Sequence, residues 1–250
     1  MPDIMSEQLQ IKLFQEYYKH NFTPKDIIIS DLKFRHFRFQ LFGGGFIRIK
    51  DVIESPIHLY ETIIRYTPKN AYYTPVKWLN PVYVAKTKKE IDVMLSFPLY
   101  FDIDIKHMPK KSFPTVKNNT KRLIKFVEKR YGLTPDLIVF SGRQGFHVYY
   151  WNFDSDLINL SPLKRIVEFK KRRELIIHKL LKEGIIVDSQ ITIDPYRILR
   201  IPNTLHGRTG LIASVVIDIE SFNIREDAAP FDIEIYKKLF PEAIPLLQSE

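Results

Sequence analysis

Apolar residues recur every three or four positions in several stretches of the chain, which is the spacing of a helix that buries one face. Two stretches begin with serine and proline, which favour the first turn of a helix, and two end at glycine, which favours a helix end. The predicted helices cover about residues 6–20, Ser55 to just before Pro68, 119–131, Ser161 to Gly184, and a short stretch near Glu234–Phe240.

Shorter apolar runs between these helices predict strands. They cover about residues 34–42, 45–49, 97–105, 137–141, 146–151, 197–201 and 212–219. Strands interleaved with helices at varied spacing predict an α+β fold, with a mixed central sheet flanked by helices. The 250 residues are enough for one domain over 1–250, built as a single unit or as two interleaved lobes.

Three consecutive glycines, Gly43–Gly45, separate the first two predicted strands. They lack the lysine and hydroxyl residue of a phosphate-binding P-loop, so a hairpin turn is favoured over a phosphate cradle. The basic, proline-interrupted segment 106–122 is predicted to be a loop. The basic run Lys170–Arg173 is interpreted as a solvated helix face, with a nucleic-acid contact as the alternative.

The formal charge of +9 favours a polyanionic partner, although a lysine-rich solvated surface would give the same count. The chain contains no cysteine, which excludes disulfides, thiolate zinc sites, iron–sulfur clusters and a cysteine nucleophile. Any bound metal must therefore be held by oxygen or imidazole. Because no apolar run reaches the ~20 residues that cross a bilayer and no signal peptide is recognisable, we expect a cytoplasmic, nucleoid-associated protein with no membrane partner.

Two aspartates, Asp102 and Asp104, lie in the predicted strand 97–105. Because successive residues of a strand point to opposite faces, both carboxylates point the same way, about 7 Å apart. Their mutual repulsion favours a cation between them, and hard oxygen ligands suit Mg²⁺ or Mn²⁺. A solvated strand face is the alternative for an isolated Asp-x-Asp pattern.

A polar turn framed by glycines, residues 141–147, joins two predicted strands. Its glycines let the backbone approach a ligand closely, and Ser141, Arg143 and His147 carry donors that suit phosphate oxygens. A hairpin turn with an incidental histidine is the alternative interpretation.

Acidic and basic residues also occur at short range over residues 188–210. The segment contains Asp188, Asp194, Arg197, Arg200, His206 and Arg208. A cationic cluster that binds triphosphate near a carboxylate cluster that binds metal is the charge arrangement that phosphoryl transfer requires. Surface ion pairs are the alternative.

In their order along the chain, the three motifs resemble those of the archaeo-eukaryotic primase superfamily, in particular the small catalytic subunit of archaeal and eukaryotic DNA primases. The resemblance rests on Asp102-x-Asp104, on Ser141-Gly-x-x-Gly-x-His147, and on Asp188 with Arg200, Pro202, His206, Arg208, Thr209 and Gly210. The upstream segments 34–48 and 70–81 resemble the N-terminal strands of that family.

The resemblance implies a role for each of these residues. Asp102, Asp104 and Asp188 would form the catalytic triad that holds two divalent ions, Mg²⁺ or Mn²⁺. The incoming nucleotide would be contacted by Ser141, Arg143, His147, Arg200, His206 and Arg208. Because Asp188 has the family's spacing before His206, Asp194 is expected to be a supporting residue.

The expected function is that of a DNA primase or primase–polymerase catalytic domain, a DNA-directed nucleotidyltransferase that makes short RNA or DNA primers on a nucleic-acid template from nucleoside triphosphates. The resemblance also implies a large primase subunit as a partner. The chain lacks the cysteine-containing zinc element usual in the family, and it has Gln144 and His36 where arginine and glutamate are common. Two rival functions are a non-catalytic nucleic-acid-binding module on a primase scaffold and a metal-dependent nuclease.

Overall fold

A computed structural model describes residues 4–84 and 93–248. Its helices and strands follow one another as α1 (Ile4–His20), β1 (Phe37–Gln40), β2 (Phe46–Arg48), α2 (Pro56–Tyr66), β3 (Asn70–Tyr73), β4 (Leu99–Asp104), α3 (Phe113–Tyr131), β5 (Leu137–Phe140), β6 (Gly145–Tyr150), α4 (Pro162–Lys182), α5 (Ser189–Ile193), β7 (Leu199–Arg200), α6 (Ile224–Asp227), α7 (Ile233–Leu239) and α8 (Ile244–Leu247). No helix in these ranges is both long and apolar enough to cross a membrane.

The strands form two sheets, in the orders β2-β1-β3-β7 and β4-β6-β5. Each paired ladder is antiparallel, so the α+β class is confirmed, while the β structure consists of two antiparallel sheets where one mixed sheet was expected. In the second sheet β6 lies in the middle, with Asp102 of β4 directly opposite His147 of β6. This register brings two of the predicted motifs side by side.

Most predicted elements are confirmed, and two are wrong. α3 begins at Phe113, inside the segment 106–122 that was expected to be a loop, because Pro114 lies in the first helical turn, where its missing N–H is not needed. Residues 212–219 form no strand and make only isolated bridges, of Ile212 with Leu205 and of Val215 with Val139.

The two faces of the β4-β6-β5 sheet carry different side chains. On one face α3 packs against the sheet, with the Phe113 ring 5.5 Å from that of Phe146. Phe101 and Ile103 are fully buried in the same apolar core. Because side chains alternate along β4, Asp102 and Asp104 lie on the opposite face.

Arg173 of α4 is fully buried, so the prediction of a solvated face over Lys170–Arg173 is wrong for this residue. Its guanidinium donates to the Phe97 and Pro98 carbonyl oxygens, at 3.0 and 2.9 Å, and pairs with the Asp154 carboxylate. A run of four residues spans a full helical turn, so one of its members faces the core. Arg173 thereby attaches α4 to the start of β4.

Candidate active site

A polar cavity of about 180 Å³ lies where β4 and β6 of one sheet approach β3 and β7 of the other. Seven of the nine predicted site residues line it: Asp102, Asp104, Ser141, Arg143, His147, Arg200 and His206. Asp188 and Arg208 lie outside its lining. The fold therefore collects residues of all three sequence motifs around one concave surface.

The two β4 carboxylates face this cavity and have different neighbours. One Asp102 carboxylate oxygen lies 3.6 Å from Nε2 of His147, its partner across the ladder. The Asp104 carboxylate accepts a hydrogen bond from the Lys106 backbone N–H at 2.8 Å, which closes the end of the strand. His147 therefore borders Asp102, whereas Asp104 lies at the end of β4.

Asp188 caps the N-terminus of α5, where one carboxylate oxygen accepts from the backbone N–H groups of Gln190 and Ile191. Its own backbone N–H donates to the Asp102 carbonyl oxygen at 2.8 Å, so the third-motif aspartate lies beside the first motif. The other carboxylate oxygen lies 3.4 Å from Lys106 Nζ and 3.3 Å from His107 Nε2. These two basic residues were missed, although their position just after Asp-x-Asp was a usable signal.

Asn119 of α3, another residue that sequence reasoning missed, holds the segment that leads to Asp188. Its side-chain amide donates to the Ile186 carbonyl oxygen at 2.7 Å and accepts from the Ile186 N–H at 3.1 Å. Asn119 is 5% exposed, so water competes little for these bonds. No sequence motif marks this residue, because its partner lies far away in the chain.

Burial and neighbouring charges shift the pKa values of the enclosed groups. Burial, then the charges of Asp104 and Asp188, raise the pKa of Asp102 to about 7. Burial, followed by the nearby Arg200 charge, lowers the pKa of His147 to about 3. The same two causes hold the pKa of His206 well below its ordinary value. At neutral pH both imidazoles are uncharged, and the positive charge lining the cavity comes from the arginines.

The carboxylates suit a divalent cation in their chemistry. The pKa of Asp102 is raised by burial first and then by the negative charges of Asp104 and Asp188, and a cation between the carboxylates would offset both effects. Across residues 4–84 and 93–248, no three His, Asp or Glu side chains lie close enough together to hold a metal ion as they stand. The Asp188 carboxylate contacts Lys106 and His107, and a cation shared by all three aspartates would replace these contacts.

Arg200 of β7 is the buried cation of the cavity. Its guanidinium donates to Asn70 Oδ1 at 2.7 Å and lies over the Tyr72 ring, 5.0 Å from the centroid. The same Asn70 oxygen accepts from the Gly207 N–H at 2.9 Å. One amide oxygen of β3 therefore positions both Arg200 and the loop that carries His206. Neither Asn70 nor Tyr72 belongs to a motif that predicted the site.

The predicted turn at residues 141–147 joins β5 to β6 and packs tightly against its surroundings. Gly142 has a φ of +78°, and a Cβ there would lie 2.8 Å from the His206 Cβ. A Cβ on Gly145 would lie 2.0 Å from the Ile103 carbonyl oxygen. The two glycines therefore let the turn approach both β4 and the His206 loop, which places Ser141 and Arg143 at the cavity.

Three ion pairs lie at the periphery of the cavity. Arg143 lies 3.0 Å from Glu242, and the exposed Arg208 lies 3.9 Å from the same carboxylate. Asp194 pairs with Arg197 at 3.2 Å, which agrees with the surface ion-pair interpretation for these two residues. Glu242, near the end of the described chain, was missed because it belongs to no motif.

The pKa of Asp102 predicts how stability changes with pH. The unfolded carboxyl ionises near 3.8 and the folded one near 7, so the folded state loses stability relative to the unfolded state as pH rises through this window. In a chelating buffer, the melting temperature of Asp102→Asn should therefore exceed that of the parent protein by an amount that grows as pH rises from about 4.5. The difference should level off above about pH 7. A melting difference that is constant with pH would contradict this assignment.

Comparison with known proteins points to the same part of the chain as the cavity does. A family model described as DNA primase small subunit matches residues 101–219, which include Asp102, Asp188 and His206. The chain is 27% identical to the DNA primase small subunit PriS of Pyrobaculum calidifontis over 246 aligned positions, covering 80% of this chain and 75% of that protein. It is 25% identical to PriS of Archaeoglobus fulgidus, covering 89% of this chain and 84% of that protein.

The fold is also similar to that of a solved structure, the polymerase domain of Mycobacterium tuberculosis ligase D in complex with DNA. The TM-score is 0.54 over 95% of this chain and 88% of that one, at 11% identity, so the likeness concerns the fold. The archaeal relatives match most of the chain, and the family model includes every residue that lines the cavity except Tyr72. Over most of its length, the chain is therefore similar to the small subunit of archaeal DNA primases.

Proposed function

We propose that this chain is a DNA primase catalytic domain, which joins nucleotides on a nucleic-acid template to make short RNA or DNA primers. The observation that carries the proposal is the cavity in which the β4 carboxylates meet Arg143, Arg200 and His206. Carboxylates beside a cationic surface suit phosphoryl transfer, because one side can hold divalent ions and the other the triphosphate.

Asp102, Asp104 and Asp188 are the residues that would hold Mg²⁺ or Mn²⁺. Such ions would neutralise phosphate charge and favour ionisation of the attacking 3′-hydroxyl. In the transfer, the 3′-oxygen forms a bond to the α-phosphorus while the bond to the bridging oxygen breaks, and pyrophosphate leaves. The carboxylates position the reacting oxygens, and no side chain forms a covalent intermediate.

The residues opposite the carboxylates would bind the triphosphate. Arg200 is fixed by Asn70 and presents a buried positive charge, so it holds phosphate oxygens without having to be ordered on binding. Arg143 would exchange Glu242 for phosphate at the cavity rim. His206 and His147, uncharged at neutral pH, would each donate a ring N–H without adding charge, and Ser141 supplies a hydroxyl.

The proposal also concerns partners. A nucleic-acid template would contact exposed lysines and arginines, consistent with the formal charge of +9, so its binding should weaken as salt rises. The family relationship supports a large primase subunit as a second partner and an intracellular site of action in replication.

A single assay tests the proposed function against its two rivals. The purified protein is incubated with a labelled template, nucleotides and Mg²⁺ or Mn²⁺, with and without a preformed primer. Template-dependent strand growth supports the proposal, cleavage of the labelled strand would establish a nuclease, and binding without either reaction would establish a non-catalytic module. Parallel reactions with ribonucleotides and deoxyribonucleotides define the substrate.

A further inference from the structure

A second concave surface lies beside α3, remote from the cavity. We call it the basic groove: it has a volume of about 440 Å³ and runs between α3 and the segment that joins α4 to α5. Its rim carries Arg122, Lys125, Lys129 and Arg130, and its apolar floor consists of Phe126 and Ile185. Glu183 is the acidic residue among those that line it.

The basic groove is separate from the nucleotide cavity. α3 buries its inner side, including Phe113 and Leu123, in the core that also contains Phe101. Asp102 and Asp104 lie on the other face of β4. The sheet and the body of α3 therefore stand between the groove and the carboxylates, and the cations of the groove are not needed to explain the cavity.

The spacing of the cations suits a polymer of phosphates. Arg122, Lys125 and Lys129 occupy positions i, i+3 and i+7 of α3, which lie on one face of a helix. At ~1.5 Å rise per residue, the successive charges are about 4.5 and 6 Å apart along the axis. A row of this kind can contact consecutive phosphates of a strand, whereas a single free phosphate would use one or two of its members.

These cations are available to a partner. Lys125, Lys129 and Arg130 are exposed and form no ion pair or hydrogen bond with the residues that the structure describes. Arg122 donates to the Glu183 and Gly184 carbonyl oxygens, at 2.6 and 3.2 Å, which fixes its guanidinium without neutralising the charge. Elsewhere on the same helix, Lys121 is paired with Glu220, so unpaired charge is concentrated at the groove.

The floor favours a single strand over a duplex or an acidic peptide. Phe126 lies between the basic residues, and its ring meets that of Tyr131 edge-on at 6.4 Å. Aromatic rings among cations are typical of single-strand binding, because an unpaired base can stack while its phosphates meet the positive charges. A duplex keeps its bases inside, and an acidic peptide has no base to place there.

We propose that the basic groove binds a single-stranded segment of nucleic acid, as a contact additional to the one at the cavity. This inference rests on the proposed function for the identity of the polymer. It adds a binding surface that the transfer chemistry does not use, and it allows a strand longer than the cavity can hold to be retained by the same domain.

The test uses Lys125→Ala combined with Lys129→Ala, and fluorescence anisotropy with labelled oligothymidylates in the absence of metal and nucleotides. For a strand of about 30 nucleotides, affinity at low salt should fall about tenfold, and the slope of log affinity against log salt should shrink by about 1.4. A strand of about 8 nucleotides can bind at either of the two sites, so its affinity should fall less.

The matched control is Lys164→Ala combined with Lys171→Ala, which removes the same charge from exposed positions of α4. Equal losses of affinity in the two double variants would overturn the proposal, because net charge alone would then explain the effect. Unchanged binding by the groove variant, with an unchanged melting temperature, would overturn it as well. If polyglutamate binds as tightly as the oligothymidylate and depends on the same two lysines, the proposal of a nucleic-acid strand is overturned in favour of an acidic protein partner.

The outcome can be separated from that of the proposed function. If the parent protein extends no primer but the groove variant still loses strand affinity, the proposed function fails and the groove stands. If the parent protein extends primers and the groove variant binds strands normally, the groove inference fails alone.

Discussion

Asp102→Asn and Asp104→Asn are each expected to lower template-dependent nucleotide incorporation about a thousand-fold or more, equivalent to about 4 kcal/mol of transition-state stabilisation. Asparagine keeps the size of the side chain and removes the charge on which a divalent ion depends. The fold should persist, because Asp102 gains no stability from being ionised in its buried position. Single-turnover incorporation with saturating nucleotide, together with thermal melting, measures both expectations.

The matched control for these variants is Asp194→Asn. Asp194 belongs to the same sequence segment as Asp188 but pairs with Arg197 outside the cavity lining. It should keep incorporation within about fivefold of the parent rate, whereas Asp188→Asn should lose it as Asp102→Asn does. Normal incorporation by Asp102→Asn, or equal defects at Asp188 and Asp194, would refute the assignment of the three carboxylates.

Arg173→Ala is expected to destabilise the protein by about 3–5 kcal/mol, because it removes the buried partner of one Asp154 carboxylate oxygen and leaves the Phe97 and Pro98 carbonyl oxygens without this donor. The guanidinium also lies 4.3 Å from the centroid of the Phe169 ring, so truncation removes packing as well. Chemical denaturation, followed by circular dichroism, gives the free energy of unfolding directly.

The adjacent Arg172 provides the comparison, since it shares Asp154 as a partner but its side chain is 31% exposed. Arg172→Ala should cost about 1 kcal/mol or less, as partly exposed ion pairs do. Arg173→Met combined with Asp154→Leu should recover much of the loss, because no unpaired charge then remains buried. Equal costs for the two arginines would show that Arg173 is not the anchor of α4.

Local patterns predicted the parts of the site that depend on neighbours in sequence. Strand alternation was enough to place Asp102 and Asp104 on one face, and the two glycines of the 141–147 turn predicted a hairpin. The proline at position 114, in contrast, led to a wrong prediction. It was interpreted as a loop residue within a basic segment, although it lies in the first turn of α3.

The remaining features depend on contacts between distant segments, which no local pattern encodes. Asp188 lies beside Asp102 through one backbone hydrogen bond, and Asn70 positions Arg200 across 130 residues of chain. Arg173 differs from its basic neighbours only because Asp154 and the start of β4 meet it in the core. The family resemblance supplied the pairing of the motifs, whereas the supporting residues required the structure.

The Asn119 contact with Ile186 constrains α3 in a way that its sequence does not reveal. Asn119 and Arg122 are one helical turn apart, and both are attached to the segment 183–186 that precedes Asp188. One residue inserted between them would rotate the rest of α3 by about 100° and break one attachment or the other. The helical phase between these two residues therefore tolerates neither insertion nor deletion.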